Sequence, residues 1–407
     1  MCVKARVAPP ACRGAGVAAT SRMSALCVQW HRALLAVAAR RRIRLPYAAL
    51  AHLLGLLAGV LAAGSARAVD LPGDRADVMY HLYDGGGVRA HGPALLVRKS
   101  LLDKVSLSGT YYIDMVSNAS IDVVTTASPF KERRTETGIG VDYVVRDSSI
   151  TLSATSSEEP DYTADSANVD VSQEVFGGMT TVSLGYTRAQ DKVGQRGTPG
   201  FIDSAKHWRY RFGVTQILTP RWLMSANFEA VSDEGFLGSP YRVARVFGAA
   251  VPERNPRTRT SRAVNFRVIG DLGSRDSGRA EYRYFWDTWN VRAHTAELGY
   301  SRYFGDLWLG DGYVRYYTQD RALFYSDNAT AETIYISRNR QLSTFDSIAV
   351  GTKASYTAKR VPGKYEIKVN GALERVRFNF NDFTDIRSGE KYSFDATIMQ
   401  VFVSATF

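Results

Sequence analysis

Cysteine is missing from nearly all of this chain. The 407 residues contain three, Cys2, Cys12 and Cys27, and none in the 339 residues from Val69 onward. Disulfides, thiolate metal sites, cysteine nucleophiles and redox motifs are therefore excluded from that stretch. Acid is missing from the other part: residues 1–68 hold ten Lys/Arg and no Asp or Glu. Without them the net charge of +11 falls to near neutrality, 41 basic against 40 acidic residues. No basic surface is left over for a phosphate backbone, so nucleic acid is not an expected partner. Long apolar runs are absent too. Beyond residue 68 none approaches the 18 or so residues of a membrane helix. A composition of 45% hydrophobic and 22% charged residues excludes a disordered chain.

The N-terminal 68 residues read as an address. Arg40, Arg41, Arg42 and Arg44 form a positive block, Tyr47 to Ala63 is apolar, and Ala66-Arg-Ala68 has the small-x-small form of a cleavage site. These are the three parts of a secretory signal peptide, with cleavage expected between Ala68 and Val69. An N-terminal anchor is the alternative, disfavoured by the short apolar core. The n-region is long enough that 1–22 read as an over-extended start, with Met23 or a later residue as the first translated. Residues 69–407 are then the exported chain, and their freedom from cysteine suits an oxidising compartment.

What that chain has in abundance is aromatic residues at every second position. It holds 21 Tyr, 18 Phe and five Trp. Trp208, Tyr210, Phe212 and Val214 are separated by Arg209, Arg211 and Gly213. Ala280, Tyr282, Tyr284 and Trp286 alternate with Arg279, Glu281 and Arg283. Trp222, Met224, Ala226, Phe228 and Ala230 alternate with Ser225, Asn227 and Glu229. A period of two means strands with one apolar and one polar face. The runs are about 10–14 residues long, enough for a tilted strand to cross a bilayer. Short connections at 102–104, 147–148, 176–179, 219–221 and 305–306 interleave with long ones at 117–134, 191–206, 234–258, 321–340 and 379–389. Two connections on the long side, near 85–87 and 287–290, are short.

This pattern predicts an all-β fold: a single antiparallel transmembrane β-barrel of the outer-membrane type. Closure is required, since an open edge in hydrocarbon leaves backbone groups unpaired. The expected strands are 74–84, 88–99, 105–116, 135–146, 149–158, 164–174, 180–190, 207–218, 222–233, 259–270, 279–288, 291–304, 307–320, 341–356, 364–378 and 391–407. That is 16, with 14 as the alternative because Gly85-Gly-Gly87 and Gly92-Pro93 interrupt the first two. Within 364–378 the phase slips after Leu373, since Val376 and Phe378 fall on the other parity, and a bulge is expected there. A soluble periplasmic β-sandwich is the competing fold. The last segment alternates Val401, Val403 and Ala405 with polar neighbours and ends in Phe407. Phe407, Val403 and Val401 thus resemble the terminal strand read by a barrel-assembly machinery, which becomes an expected partner.

Several longer stretches resemble a bacterial domain-of-unknown-function family (number 3570). They are Asp114-Met-Val, Ile121 to Pro129 with Glu132-Arg, Arg283-Tyr-Phe-Trp-Asp-Thr-Trp289, Ala293 to Tyr300, Arg315 to Asp320 and Phe324-Tyr-Ser-Asp327. The likeness runs over essentially residues 75–407. It implies an exported outer-membrane barrel and carries no activity with it. It also implies gene neighbours: a small lipoprotein, a thioredoxin-like protein and a flavin transferase. A periplasmic or lipoprotein partner beside an envelope redox system would follow.

The parts of a barrel enzyme do not assemble. Of the exported histidines His81, His91, His207 and His294, the last has only Thr295 beside it and shares the apolar parity of Ala296 and Leu298. That is an interfacial histidine rather than a base. His81 and His91 could pair across the first hairpin near Asp84, but a third metal ligand is lacking. Glu158, Glu159, Asp161 and Asp165 lack the spacing of a calcium loop and read as a solvated one. No catalytic residue, cofactor or metal is assigned. The polar parity instead places Asp114, Asp142, Arg209, Arg211, Glu229, Arg267, Arg279, Glu281, Arg283, Glu297, Asp311, Arg315, Glu366 and Lys368 toward the lumen. Seven are basic and seven acidic, so no strong ion selectivity follows. The longest loop carries Arg242, Arg245, Arg254 and Arg257, placed to meet lipopolysaccharide, to steer anions, or simply to be solvated. The expected role is a passive channel or transport barrel for small solutes or ions. A scaffold or sheath for envelope partners is the alternative, and a barrel hydrolase a third that the residues disfavour. Outer-membrane lipid is the expected surrounding.

Overall fold

The computed structural model describes residues 69–118, 120 and 130–407. The proposed signal peptide and the Ile121–Pro129 stretch lie outside the described residues. The strands are β1 (Arg75–Gly85), β2 (Val88–Leu102), β3 (Val105–Asn118), β4 (Phe130–Val145), β5 (Ser148–Glu159) and β6 (Tyr162–Val175). They continue as β7 (Thr180–Gly194), β8 (Ile202–Thr219), β9 (Trp222–Gly235), β10 (Val243–Val246), β11 (Ala249–Pro252) and β12 (Thr258–Gly273). The rest are β13 (Asp276–Asp287), β14 (Arg292–Phe304), β15 (Trp308–Gln319), β16 (Phe345–Val361), β17 (Tyr365–Thr384) and β18 (Lys391–Thr406). One 3-10 turn, Arg340–Leu342, accompanies them among the described residues.

Sixteen strands form one closed antiparallel barrel in which each pairs with its sequence neighbour and β1 closes onto β18. The count of 14 is thereby set aside. Gly85 ends β1, and the next two residues make the first hairpin turn with φ of 58° at Gly86 and 77° at Gly87. Positive φ at both central positions is the twist-matched hairpin geometry, so the glycines join two strands rather than break them. Gly92 has a different reason to be glycine: a Cβ there would stand 2.0 Å from the Ile113 carbonyl oxygen of β3. Small hairpin β10–β11 stands apart from the barrel wall, inside the long 236–257 connection.

The outer face is apolar. Val78, Tyr80, Tyr210, Phe228, Leu298 and Val401 are all well exposed, yet each alternates with residues that turn to the other side. On β14 the outward set His294, Ala296, Leu298 and Tyr300 lies between Arg292 and Arg302. Ten residues at ~3.4 Å rise and ~40° tilt span roughly 26 Å along the barrel axis, the height of an outer-membrane apolar band. A water-soluble protein cannot leave such a belt bare. The chain is an outer-membrane barrel.

The strands outrun the expected bounds, chiefly at the long-loop end. β8 starts at Ile202 rather than 207, and β17 runs to Thr384 rather than 378. Past the bilayer both faces are wet, so the ladder continues where alternation no longer marks it. The connection between β5 and β6 is also tight, only Pro160 and Asp161, which places Glu158 and Glu159 on one strand and Asp165 on the next.

The expected bulge after Leu373 is absent. From Glu366 to Asn379, β17 pairs with β18 without a register shift. Its pairing with β16 shifts at Thr357/Lys359 instead, beside the short turn. Val376 keeps its inward parity and is buried with Ala349 and Ala396, while Phe378 packs against them. The sequence changes character there because the inside of the barrel turns apolar at this level, not because the backbone slips.

Candidate functional site

Inside the barrel, strand register sets the polar side chains in cross-strand rungs. Arg211 Nη2 meets Asp170 Oδ1 at 2.8 Å and also donates to Asn168. Next to it Arg209 Nε lies 3.6 Å from Glu229 Oε2, and Arg267 Nε 3.6 Å from Glu281 Oε2. The Arg209 side chain keeps 51% of its accessible surface, so this wall faces open space within the barrel. Farther round, from β13 to β17, the wall is packed. Arg279 binds Asp311 and reaches Glu297 Oε1 at 3.3 Å. Arg315 Nη1 lies 3.7 Å from that glutamate and also pairs with Glu374, which Tyr313 donates to as well. Only 8% of the Glu374 side chain is accessible. Ser301 Oγ donates to Asp311 at 2.6 Å.

The remaining assigned residues lie around this ring. Asp142 accepts from Thr151 Oγ1 at 2.7 Å and stands 3.4 Å from Arg98 Nη2. Asp114 Oδ1 lies 2.6 Å from His81 Nε2, with Arg134 3.9 Å away and Tyr112 stacked on the imidazole. Arg283 is held over the Phe285 ring at 5.5 Å. Lys368 Nζ and Arg360 share Glu366, the former at 2.8 Å. His81 and His91 do not pair. His81 faces Asp114, whereas His91 bonds Tyr80 of the lipid face, 2.6 Å from its hydroxyl. They are ten positions apart across a hairpin whose register opposes His91 to Leu82, so they fall on opposite faces.

Three participants were not singled out from the sequence. Asp170 carries a readable signal, because Val169 and Val171 flank it. Glu374 shares the parity of Glu366 and Lys368 and was hidden by the expected bulge. His207 sits between two carboxylates, Asp233 at 2.6 Å and Asp191 at 3.1 Å, contributed by β9 and β7. Only strand pairing brings these together.

The two mouths differ. At the short-turn end a cavity of about 490 Å³ lies among Ile217, Leu223, Ile269 and Leu309. These aliphatics share the parity of Arg267 and Asp311. At the long-loop end the connections interlock. Trp289, Val291, Ala322, Tyr325, Leu342 and Phe383 form a buried cluster with Phe380 of the barrel wall. Arg340 lies over the rings of Phe394, at 5.3 Å, and Tyr392, at 5.6 Å. Arg338 lies 4.3 Å over Phe383 and donates to the Thr384 carbonyl at 2.6 Å. The 236–257 connection bridges to this loop at Val246–Ala329, within its hairpin, and at Arg254–Ile336, just past it. Burial raises the Tyr325 hydroxyl pKa well above its ordinary value. Of the four loop arginines, Arg242 is buried, Arg254 pairs with Glu332 at 2.7 Å and Arg257 with Asp203 at 2.8 Å. The Arg254 side chain binds loop to loop and that of Arg257 binds loop to wall.

Residues 196–372 match the sequence model of the family described as "Protein of unknown function (DUF3570)". This is a shorter stretch than the one over which the resemblance was read, and it contains the Arg283–Trp289 and Ala293–Tyr300 motifs. No curated protein matches the chain. Among solved structures, a bacterial polysaccharide outer membrane secretin is similar at 8% identity and a TM-score of 0.49, over 81% of this chain and 97% of that one. The siderophore receptor PirA from Pseudomonas aeruginosa is similar at 9% identity and 0.43. That pairing covers 78% of this chain, which spans only 57% of the receptor's length. OmpT of Vibrio cholerae, with its loop L8 deleted, gives 9% identity and 0.43, over 81% and 97% of the two chains.

Proposed function

We propose that this barrel is a passive channel for small polar solutes or ions, narrowed at its outer mouth by its own loops. The observation that carries the reading is the accessible polar wall of β6–β9. Arg209, Glu229, Arg211 and Asp170 each keep at least a third of their side-chain surface open inside a closed barrel. Charged side chains in a sealed interior would be desolvated at considerable cost, so their openness fits a water-filled lumen. Both signs occur along the wall, which fits weak charge selectivity. The aromatic cluster under the 320–344 loop fits a constriction above that lumen.

The same cluster favours a second reading. If the loops never part, the barrel is a sheath or scaffold for envelope partners, and the polar wall is solvated from the short-turn end alone. Planar-bilayer conductance of refolded chain 69–407 separates the two. Discrete, stable openings are expected of the channel. Silence from a barrel shown to be folded by heat-modifiable gel mobility would overturn it.

A further inference from the structure

The outer face carries a site that the lumen reading does not use. One row of residues opposed in register runs across it: Tyr186 to Tyr210, Tyr210 to Ala230, Ala230 to Arg262, Arg262 to Trp286 and Trp286 to Arg292. Tyr186 and Tyr210 pack ring to ring at 5.4 Å. Trp286 stacks on Tyr284 at 5.3 Å, and His294 packs on the same tyrosine. Amphipathic rings of this kind mark the level where hydrocarbon gives way to headgroups. On β14 the apolar band ends at Arg292, which places the row at the long-loop edge of the bilayer.

Two exposed arginines flank one tryptophan there, two strand spacings apart, about 10 Å. Some outward arginines near that edge are satisfied: Arg375 and Arg377 reach Asp395 at 3.2 and 3.4 Å, and Arg188 lies 5.2 Å over Trp208. Arg89 and Arg133, exposed on the same face, have no carboxylate partner among the described residues either, but no tryptophan stands between them. At the opposite edge Arg302 has Asp276 at 3.6 Å. Neither Arg262 nor Arg292 has a carboxylate partner among the described residues. Across from Arg262 the β9 neighbour is Ala230, which leaves room beside the guanidinium. Two forked cations over an aromatic floor, level with lipid headgroups, match one anionic group held by paired hydrogen bonds.

We propose that Arg262 and Arg292 clamp a phosphate of a phosphorylated glycolipid in the outer leaflet, with Trp286 beneath its sugar. The occupant is lipid because this face is sealed by the bilayer, where a soluble anion reaches it only from the rim. The inference needs the barrel and its band, and is independent of whether the lumen conducts.

The test uses chain 69–407 refolded into phosphatidylcholine vesicles, titrated with a bis-phosphorylated glycolipid, its dephosphorylated form, or phosphatidylglycerol. Bound lipid is read by native mass spectrometry after extraction. The wild-type chain is expected to retain the bis-phosphorylated glycolipid, and R262Q/R292Q to bind it about thirtyfold more weakly, about fivefold for each basic group. Arg221→Gln at the opposite end should change nothing. Heat-modifiable mobility confirms that the double variant is folded, and an unfolded one is replaced by the single variants R262Q and R292Q. Equal retention by folded variants, equal retention of the dephosphorylated form or of phosphatidylglycerol, or full displacement by millimolar inorganic phosphate would each overturn the proposal.

Discussion

Replacing Phe228 by arginine puts the inside–outside assignment to a direct test. Phe228 lies on the lipid face of β9, opposite Phe212 of β8 and Val264 of β12. The same parity runs Trp222, Met224, Ala226, Phe228 and Ala230 before it turns polar at Ser232 and Glu234, so Phe228 lies within the apolar run. Six residues separate it from Trp222 and two from Ala230, roughly 15 Å and 5 Å along the membrane normal at a tilt of ~40°. An arginine costs about 2–4 kcal/mol at the midplane and less toward the edge, so a cost near the lower figure is expected here. That lower figure is roughly a thirtyfold loss in the ratio of folded to unfolded chain. Ser225 is three residues away on the other face, opposite Arg267 of β12. Arginine there meets one like charge across the pair, about 0.2–1 kcal/mol, and otherwise faces water. The assay is equilibrium unfolding by guanidinium in phospholipid vesicles, with Phe228→Ala to account for the lost ring. Phe228→Arg should shift the midpoint well beyond both Phe228→Ala and Ser225→Arg. Equal shifts for the two arginine variants would mean that the apolar parity does not face lipid, and the band argument would fall.

Four further outcomes follow from named contacts. Gly92→Ala should cut the yield of heat-modifiable barrel severely, because its Cβ would overlap the Ile113 carbonyl at 2.0 Å; normal assembly would mean that β2 and β3 do not approach this closely. Arg340→Ala removes a cation from two rings of the outer mouth and should give larger, noisier conductance steps than the parent, whereas identical traces would show that the loop does not narrow the path. Glu374→Gln should destabilise by about 1–3 kcal/mol in urea, as a buried acceptor loses its charge between Arg315 and Tyr313, while Glu366→Gln, among exposed partners, should cost under about 1 kcal/mol. Deleting Phe407 should lower assembly in cells yet leave refolding into vesicles intact, since the ring is half-exposed and touches chiefly Lys99; parallel losses in both would make its role structural.

Much of the wall was legible because one rule governs it. Where Trp208, Tyr210 and Phe212 alternate with Arg209 and Arg211, lipid on one side and water on the other dictate each residue type, so strand and orientation are read together. The rule fails wherever those two solvents change. Beyond the headgroups β8 and β17 continue with polar residues on both faces, and alternation gives no boundary. Inside the outer mouth, Val376 and Phe378 face an apolar cluster instead of water, which imitates a bulge in the pattern. Pairing across distant strands is not encoded by period at all. His81 meets Asp114 through β1–β3, and His207 meets Asp191 and Asp233 through β7–β9, at positions fixed only by register. The loop cap was invisible for the same reason: Arg338 and Arg340 carry no signal in the sequence, because the rings of Phe383 and Phe394 are brought beneath them only by tertiary packing.

The seam between β1 and β18 sets the order of events in the making of this protein. Arg75 pairs with Thr406, and the register runs unbroken to Gly85 and Ala396. The contact that turns a ribbon into a cylinder thus joins residues about 330 positions apart at Arg75 and Thr406. Closure is available only once β18 has been made, so the ring cannot be completed while the earlier strands are being synthesised. Until then two raw edges, β1 and β18, coexist in one molecule and can each recruit a second copy. Pairing over so great a sequence separation is also intrinsically slow. Until β1 and β18 meet, β18 is a free strand at the edge of an open sheet. Anything that escorts it would find that strand the natural handle.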